Sequence, residues 1–178
     1  YVMNDDGNLL RSEETDPNGR RIVTREWATN DVYKLSERDN RGYELLLGYD
    51  ARGNLVSSRT KAGAGAVFED VAYEYDPRFN KLVRKKDEKG RVSAWRIDPR
   101  GGDLLESHEA DGKHTRYAYD RHGNLTESVD SSGRTLFWDH DTYGNATRVV
   151  LPSGKVEIRE FDRRGRRYAE DEATTTRQ

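Results

Sequence analysis

The chain has 178 residues, 36% of them charged and 33% hydrophobic, with 31 basic and 33 acidic residues interleaved to a net charge of -2 and a mean hydropathy of -1.09. Such a composition offers little material for a thick dry core, and charges so evenly mixed leave no footprint for nucleic acid. The lack of cysteine excludes a disulfide scaffold, a thiol nucleophile and a thiolate metal site, and no apolar run approaches the roughly 18 residues of a spanning helix, so membrane insertion is not expected.

Ten Tyr, three Trp and four Phe set the chain apart from disordered sequences of similar polarity. Taken in order, these residues fall into a repeat. The start, Tyr1-Val2-Met3-Asn4-Asp5-Asp6, has neither the basic nor the apolar region of a signal peptide and enters the pattern in mid-unit, which predicts a piece of something longer. Half-motifs follow at Gly7-Asn8-Leu9, Asp16-Pro17-Asn18-Gly19-Arg20, Asp39-Asn40-Arg41-Gly42 and Tyr49-Asp50-Ala51-Arg52-Gly53-Asn54-Leu55. Asn30-Asp31-Val32-Tyr33 is read as a degenerate turn between them. Residues 1–60 thus form a looser set of repeats. The small-residue stretch Lys61-Ala62-Gly63-Ala64-Gly65-Ala66 is read as an insertion loop over 61–66.

Regular repeats are expected over 67–168. Tyr73-Glu74-Tyr75-Asp76-Pro77-Arg78-Phe79 leads to Asp87-Glu88-Lys89-Gly90-Arg91, with Phe79 read as standing where Gly is otherwise found. Trp95-Arg96-Ile97-Asp98-Pro99-Arg100-Gly101 leads to Asp111-Gly112-Lys113. The clearest unit is Tyr117-Ala118-Tyr119-Asp120-Arg121-His122-Gly123-Asn124-Leu125, followed by Asp130-Ser131-Ser132-Gly133-Arg134. Trp138-Asp139-His140-Asp141-Thr142-Tyr143-Gly144-Asn145, then Pro152-Ser153-Gly154-Lys155, then Phe161-Asp162-Arg163-Arg164-Gly165 continue it. A polar tail is expected over 169–178, and a few helix-period residues are allowed within 163–177.

From Gly90 the glycines fall at 101, 112, 123, 133, 144, 154 and 165, a turn about every eleven residues. Asp-x-x-Gly explains that step. Asp at the first position of a type I turn accepts hydrogen bonds from backbone N–H groups further on, and Gly supplies the positive φ that returns the chain to a strand. Six or seven residues remain between turns, enough for one short strand. Tyr-x-Tyr and Trp-x-Ile place two large side chains on one face, because strand residues alternate. The expected fold is all-β: tandem antiparallel β-hairpin repeats of about fifteen strands, with one aromatic-aliphatic face and one charged face, in a sheet that strand twist curls or winds into a spiral.

Tyr117-x-Tyr119-Asp120-x-x-Gly123-Asn124-Leu125 and Tyr73-x-Tyr75-Asp76-Pro77-Arg78-Phe79-Asn80 resemble the YD repeats of bacterial Rhs proteins, a family similar to toxin-complex C subunits and animal teneurins. The resemblance implies a segment of a hollow β-shell that encloses or presents a C-terminal toxin domain. It also implies bacterial secretion or cell-surface delivery and, as partners, further YD repeats of a longer chain or a second copy. Tyr73, Tyr75, Asp76, Gly90, Trp95, Asp98, Gly101, Tyr117, Tyr119, Asp120, Gly123, Leu125, Gly133, Trp138, Asp141, Gly144, Phe161, Asp162 and Gly165 are its structural repeat positions here. The self-cleaving Asp-Pro-x-Gly-Leu segment of that family has no match: Asp16-Pro17-Asn18-Gly19-Arg20 and Asp98-Pro99-Arg100-Gly101-Gly102 lack the Leu and read as turns.

No catalytic residue, cofactor or metal is expected. Asp139-x-Asp141-x-Tyr143-Gly144 imitates the start of a calcium loop, but Val150 stands where the bidentate carboxylate belongs. His108, His114, His122 and His140 fit no metal-ligand or triad spacing, and Gly63-Ala64-Gly65 lacks the third glycine of a phosphate loop. Carboxylate pairs of glycosidase type are numerous, yet most Asp residues already have a turn role. Asn124-Leu125-Thr126 and Asn145-Ala146-Thr147 are formal glycosylation sequons that coincide with the repeat. The alternative to a wall segment is a carbohydrate- or protein-binding module that uses exposed aromatics.

Overall fold

The glycine period translates into strands in the computed structural model, which describes residues 1–19, 21–30, 32–63 and 66–174. Tyr1–Val92 form one unit and Ser93–Gln178 a second. The first unit carries β1 (Val2–Met3), β2 (Leu9–Thr15), β3 (Ile22–Trp27), β4 (Lys34–Asp39), β5 (Glu44–Tyr49), β6 (Leu55–Ala62), β7 (Ala66–Tyr75) and β8 (Leu82–Lys86). The second carries β9 (Val92–Ile97, whose first residue closes the first unit), β10 (Leu104–His108), β11 (His114–Tyr119), β12 (Leu125–Asp130), β13 (Thr135–His140), β14 (Ala146–Val150), β15 (Lys155–Phe161) and β16 (Arg167–Thr174).

Within each unit every strand pairs antiparallel with its neighbour in the chain. Connections of three to six residues permit no other arrangement, since a parallel crossover needs a dozen or more. β1 has one partner, β2, and β16 one partner, β15, so both stand as edges. The all-β expectation is met, with sixteen strands among the described residues rather than about fifteen.

Three expectations are corrected. The helix-period allowance over 163–177 fails: Asp162–Gly165 turns the chain back, Phe161 pairs with Arg167, and Arg167–Thr174 is strand β16, with 175–177 outside the described residues. The tail expected over 169–178 is likewise strand as far as Thr174. The loop expected over 61–66 is mostly the end of a hairpin, in which Lys61 and Ala62 finish β6 and Ala66, opposite Ala62, opens β7. Small side chains allow that pairing to run on, and Gly63 turns at φ 63°; Ala64 and Gly65 lie outside the described residues.

The two faces follow from the register. In the second unit Trp95 faces Ser107, Tyr117 faces Ser128 and Trp138 faces Val149. Ser107, Ser128 and Val149 are buried while the aromatics across from them are half-buried. A large ring is thus set beside a small residue on the next strand, a pairing that lets adjacent strands interdigitate. Val71 is the corresponding buried anchor of β7, two residues before half-buried Tyr73. No large side chain among the described residues is fully enclosed, as expected of a layer one sheet thick.

The opposite face carries cross-strand ion pairs between directly opposed residues. Arg59 meets Asp70 at 2.6 Å, Arg96 meets Glu106 at 3.0 Å and Arg148 meets Asp139 at 3.0 Å, and Arg84 meets Glu74 in the same way. Each such exposed pair contributes about 0–1 kcal/mol. Their larger effect is to fix the register and keep this face from associating.

Candidate functional site

The repeat alternates two kinds of turn, and they lie at opposite ends of the strands. One kind follows an aromatic-Asp pair or its equivalent and ends in a bulge. It closes β5/β6 from Asp50, β7/β8 from Asp76, β9/β10 from Asp98, β11/β12 from Asp120, β13/β14 from Asp141 and β15/β16 from Asp162. In each of these hairpins the register slips by one residue next to the turn, as where Tyr119 pairs with Leu125 but Ala118 with Glu127. A bulge at every second turn adds twist at that end and gives the unit its length of about twenty-one residues. The other kind shows no such slip in β12/β13, closed from Asp130, or in β14/β15, whereas β6/β7 slips between Thr60 and Lys61.

In both kinds the Asp carboxylate is the organising group. Asp120 Oδ1 accepts from the N–H of His122 at 2.8 Å and of Asn124 at 2.9 Å, and Oδ2 accepts from Asn124 Nδ2 at 2.9 Å. Asp141 does the same with Tyr143 and Asn145. Where Arg follows the glycine, its Nε replaces the amide: Arg91 on Asp87 at 2.7 Å, Arg134 on Asp130 at 2.7 Å, Arg166 on Asp162 at 2.8 Å. These donors favour the ionised form. The side-chain amide of Asn124, then its backbone N–H, hold the Asp120 carboxyl down to about 2. Ser132 and Arg134 lower Asp130 further.

Repeat positions fall in this frame as follows. Gly90, Gly123, Gly133, Gly144 and Gly165 take positive φ at the fourth turn position. Leu125 opens β12 opposite Tyr119. Tyr75, Tyr119 and Phe161 sit at the slipped register, while Tyr73, Trp95, Tyr117 and Trp138 lie two or more residues before the Asp of their turn. Two positions are corrected. Gly101 is not the residue with positive φ in its turn; Gly102 is, at 80°, with its N–H on the Asp98 carbonyl. Nor does Phe79 fill the glycine slot: the chain adds one residue and Asn80 takes φ 55°, its N–H on the Asp76 carbonyl. In both, an Asp-Pro start is followed by a turn one residue longer than Asp-x-x-Gly.

The bulged turns also touch one another. The residue after the positive-φ position reaches sideways to the next turn at the same end. Asn8 Nδ2 donates to the Thr29 carbonyl at 3.0 Å. Tyr33 lies so close to Gly53 that a Cβ there would sit 2.0 Å from its hydroxyl. Asn54 exchanges amide hydrogen bonds with Asn80 at 2.7 and 3.0 Å. In the second unit a Cβ on Gly144 would stand 3.0 Å from Asn124 Oδ1, and one on Gly165 3.6 Å from Asn145 Oδ1. This lateral spine was not foreseen from the sequence. Its signal is the Asn that follows Gly at 53/54, 123/124 and 144/145, visible in retrospect as part of the repeat.

The chemical candidates resolve into structural uses. Asp141 is spent on its turn and Asp139 on Arg148. The amides of Asn124 and Asn145, the two sequon residues, are bonded to Asp120 and Asp141. Among the described residues no three His, Asp or Glu side chains are placed to hold a metal ion. His108 and His114 are brought together, which their spacing did not suggest: they face each other across β10 and β11 with rings stacked 5.8 Å apart.

Residues 98–135 match the family model described as RHS Repeat, a stretch that contains the Tyr117–Leu125 motif. No curated protein sequence matches the chain. Solved structures resemble it. The crystal structure of TcdB2-TccC3 aligns with TM-score 0.66 and 14% identity over 97% of this chain, as does that of TcdB2-TccC3-Cdc42. The Photorhabdus luminescens Tc holotoxin pore, with a TccC3 mutation, aligns with TM-score 0.62 and 15% identity over 86% of this chain. At such identity the likeness is one of fold. The chain spans 11% of the first two chains and 9% of the third.

Proposed function

We propose, from the premise that this is a chain of RHS/YD repeats, that it is one stretch of a shell wall that encloses or presents a C-terminal toxin domain, with no catalysis of its own. The observation that carries the reading is the spine of bulged turns. A hairpin whose turn lies against the turns beside it, by hydrogen bonds as between Asn54 and Asn80 or by close approach as between Asn124 and Gly144, is a unit made to be added to. The likeness in fold to TcdB2-TccC3, one structure of which is described as lacking a hypervariable C-terminal region, supports a cargo that varies at the end of a constant wall. Its partners in this reading are further repeats of a longer chain and the enclosed domain, and its route is a bacterial toxin-delivery system. Limited proteolysis of the full-length gene product tests it. A C-terminal region that resists protease until mild denaturant opens the wall is the expected result; immediate release of that region would refute enclosure.

A binding module is the second reading, favoured by the half-buried state of Trp95, Tyr117 and Trp138, which leaves part of each ring uncovered. Tryptophan fluorescence titrated with a glycan panel separates the two, since a wall predicts no saturable change.

A further inference from the structure

The charged face of the second unit carries an apolar opening. Between the plain turns Asp130–Arg134 and Leu151–Lys155 lies an open groove of about 750 Å³ whose floor is Phe137 and Val150, directly opposed on β13 and β14. Phe137 is 45% exposed. One unit earlier, at the equivalent point of β11, the residue is Arg116. One wall of the groove is Leu151-Pro152, and Leu151 occupies the position that Asp130 holds one unit before. The turn keeps its backbone bonds, Gly154 N–H to Leu151 carbonyl at 2.8 Å and Leu151 N–H to Lys155 carbonyl at 2.9 Å, but has no carboxylate for the other N–H groups. Lys155 N–H donates to Ser153 Oγ at 3.4 Å.

Two departures from the repeat therefore converge on one groove, each exchanging a polar residue that suits the solvated sheet for an apolar one. A break of local rule without structural gain is the signature of a site. The charged residues on its lining are both arginines. Arg134 and Arg148 line it and no carboxylate does. Each guanidinium is oriented from behind, Arg134 by Asp130 and Arg148 by Asp139 through Nη1, with further N–H donors to spare.

We propose that this groove is a docking site for an extended acidic peptide segment of another protein, which places an apolar side chain between Phe137 and Leu151 and carboxylates on Arg134 and Arg148. Apolar anchor and flanking charge pairs are the usual division between affinity and orientation in such sites. The site is independent of whether the wall encloses a toxin.

The test uses the chain of 178 residues and a fluorescein-labelled peptide Glu-Leu-Asp-Phe-Glu-Leu-Asp, with a counterpart carrying Lys at each acidic position, followed by fluorescence polarisation. The acidic peptide is expected to bind and to weaken as salt rises, and the basic counterpart not to bind. Leu151→Asp and Phe137→Arg restore the residues of the preceding repeat, so both variants are expected to fold at least as well, and each to weaken binding about ten-fold or more, as loss of one apolar anchor requires. Unchanged binding in both variants, equal binding of the basic peptide, or no binding of either peptide would overturn the proposal. Concentration-dependent dimers by light scattering that Leu151→Asp dissolves would assign the groove to a second copy and overturn it as well.

Discussion

Asn54 and Asn80 lie on separate turns, twenty-six positions apart, and exchange hydrogen bonds amide to amide, Nδ2 of each donating to Oδ1 of the other at 2.7 and 3.0 Å. Asn80 holds φ 55° while doing so, and Asn54 also donates to Asp50 at 2.9 Å. One residue thus serves as the turn's left-handed position and as the receiver of its neighbour's amide. Asn80→Gly keeps the first role and loses the second, whereas Asn80→Ala loses both. Alanine is expected to cost about 1–2 kcal/mol more than glycine, from left-handed strain on a residue with a Cβ. Urea unfolding of the two variants gives the difference directly.

Gly53 and Gly123 separate backbone conformation from contact. Both have positive φ, 84° and 85°, but a Cβ at Gly123 would meet nothing within 4 Å while one at Gly53 would collide with Tyr33. Gly123→Ala should cost about 1–2 kcal/mol. Gly53→Ala should cost more, and a double-mutant cycle with Tyr33→Ala should show coupling of about 1 kcal/mol or more. Equal costs and no coupling would mean that the Tyr33 contact has no influence on the turn.

The two faces differ in what they tolerate. Arg96→Glu, which sets two acids opposite each other at Glu106, is expected to lower stability by less than about 1 kcal/mol. Tyr117→Ala removes a half-buried ring beside buried Ser128 and is expected to cost about 2–4 kcal/mol. Paired urea melts decide it.

Acid should act through the turns. Asp120 is held near 2, below its ordinary 3.8, by Asn124 and the neighbouring N–H groups. A depressed folded value means stability fully present above pH about 4 and lost as pH falls toward 2, because protonation then removes the acceptor. Asp50, Asp87, Asp141 and Asp162 are lowered in the same direction. The melting temperature is expected to stay level from pH 7 to 5 and fall steeply below 4. In Asp120→Asn it should start lower and fall less, a comparison that thermal melts across pH provide.

Much of this was written in the chain. The glycine step marks the turns, Tyr-x-Tyr marks the aromatic face, and Asp-x-x-Gly names its own hydrogen bonds. What escaped has a physical reason. Spacing does not reveal that Asp76 and Asp98 begin turns one residue longer, because Gly101 and Gly102 are adjacent and either could carry the positive φ. Pairing across Lys61–Ala66 and into β16 was missed because small or polar residues lack the alternation that marks a strand, though their partners in β6, β7 and β15 supply the ladder. His108 and His114, and Phe137 with Leu151, meet only through register, which is a property of two strands at once.

Electron cryo-microscopy of the full-length protein that contains this chain would test the wall most directly. The predicted result is a β-shell in which residues 1–174 appear as consecutive antiparallel strands, each bonded to its chain neighbour, with Trp95, Tyr117 and Trp138 turned to the enclosed side. A free-standing sheet with those rings open to solvent, and no enclosed density, would contradict it.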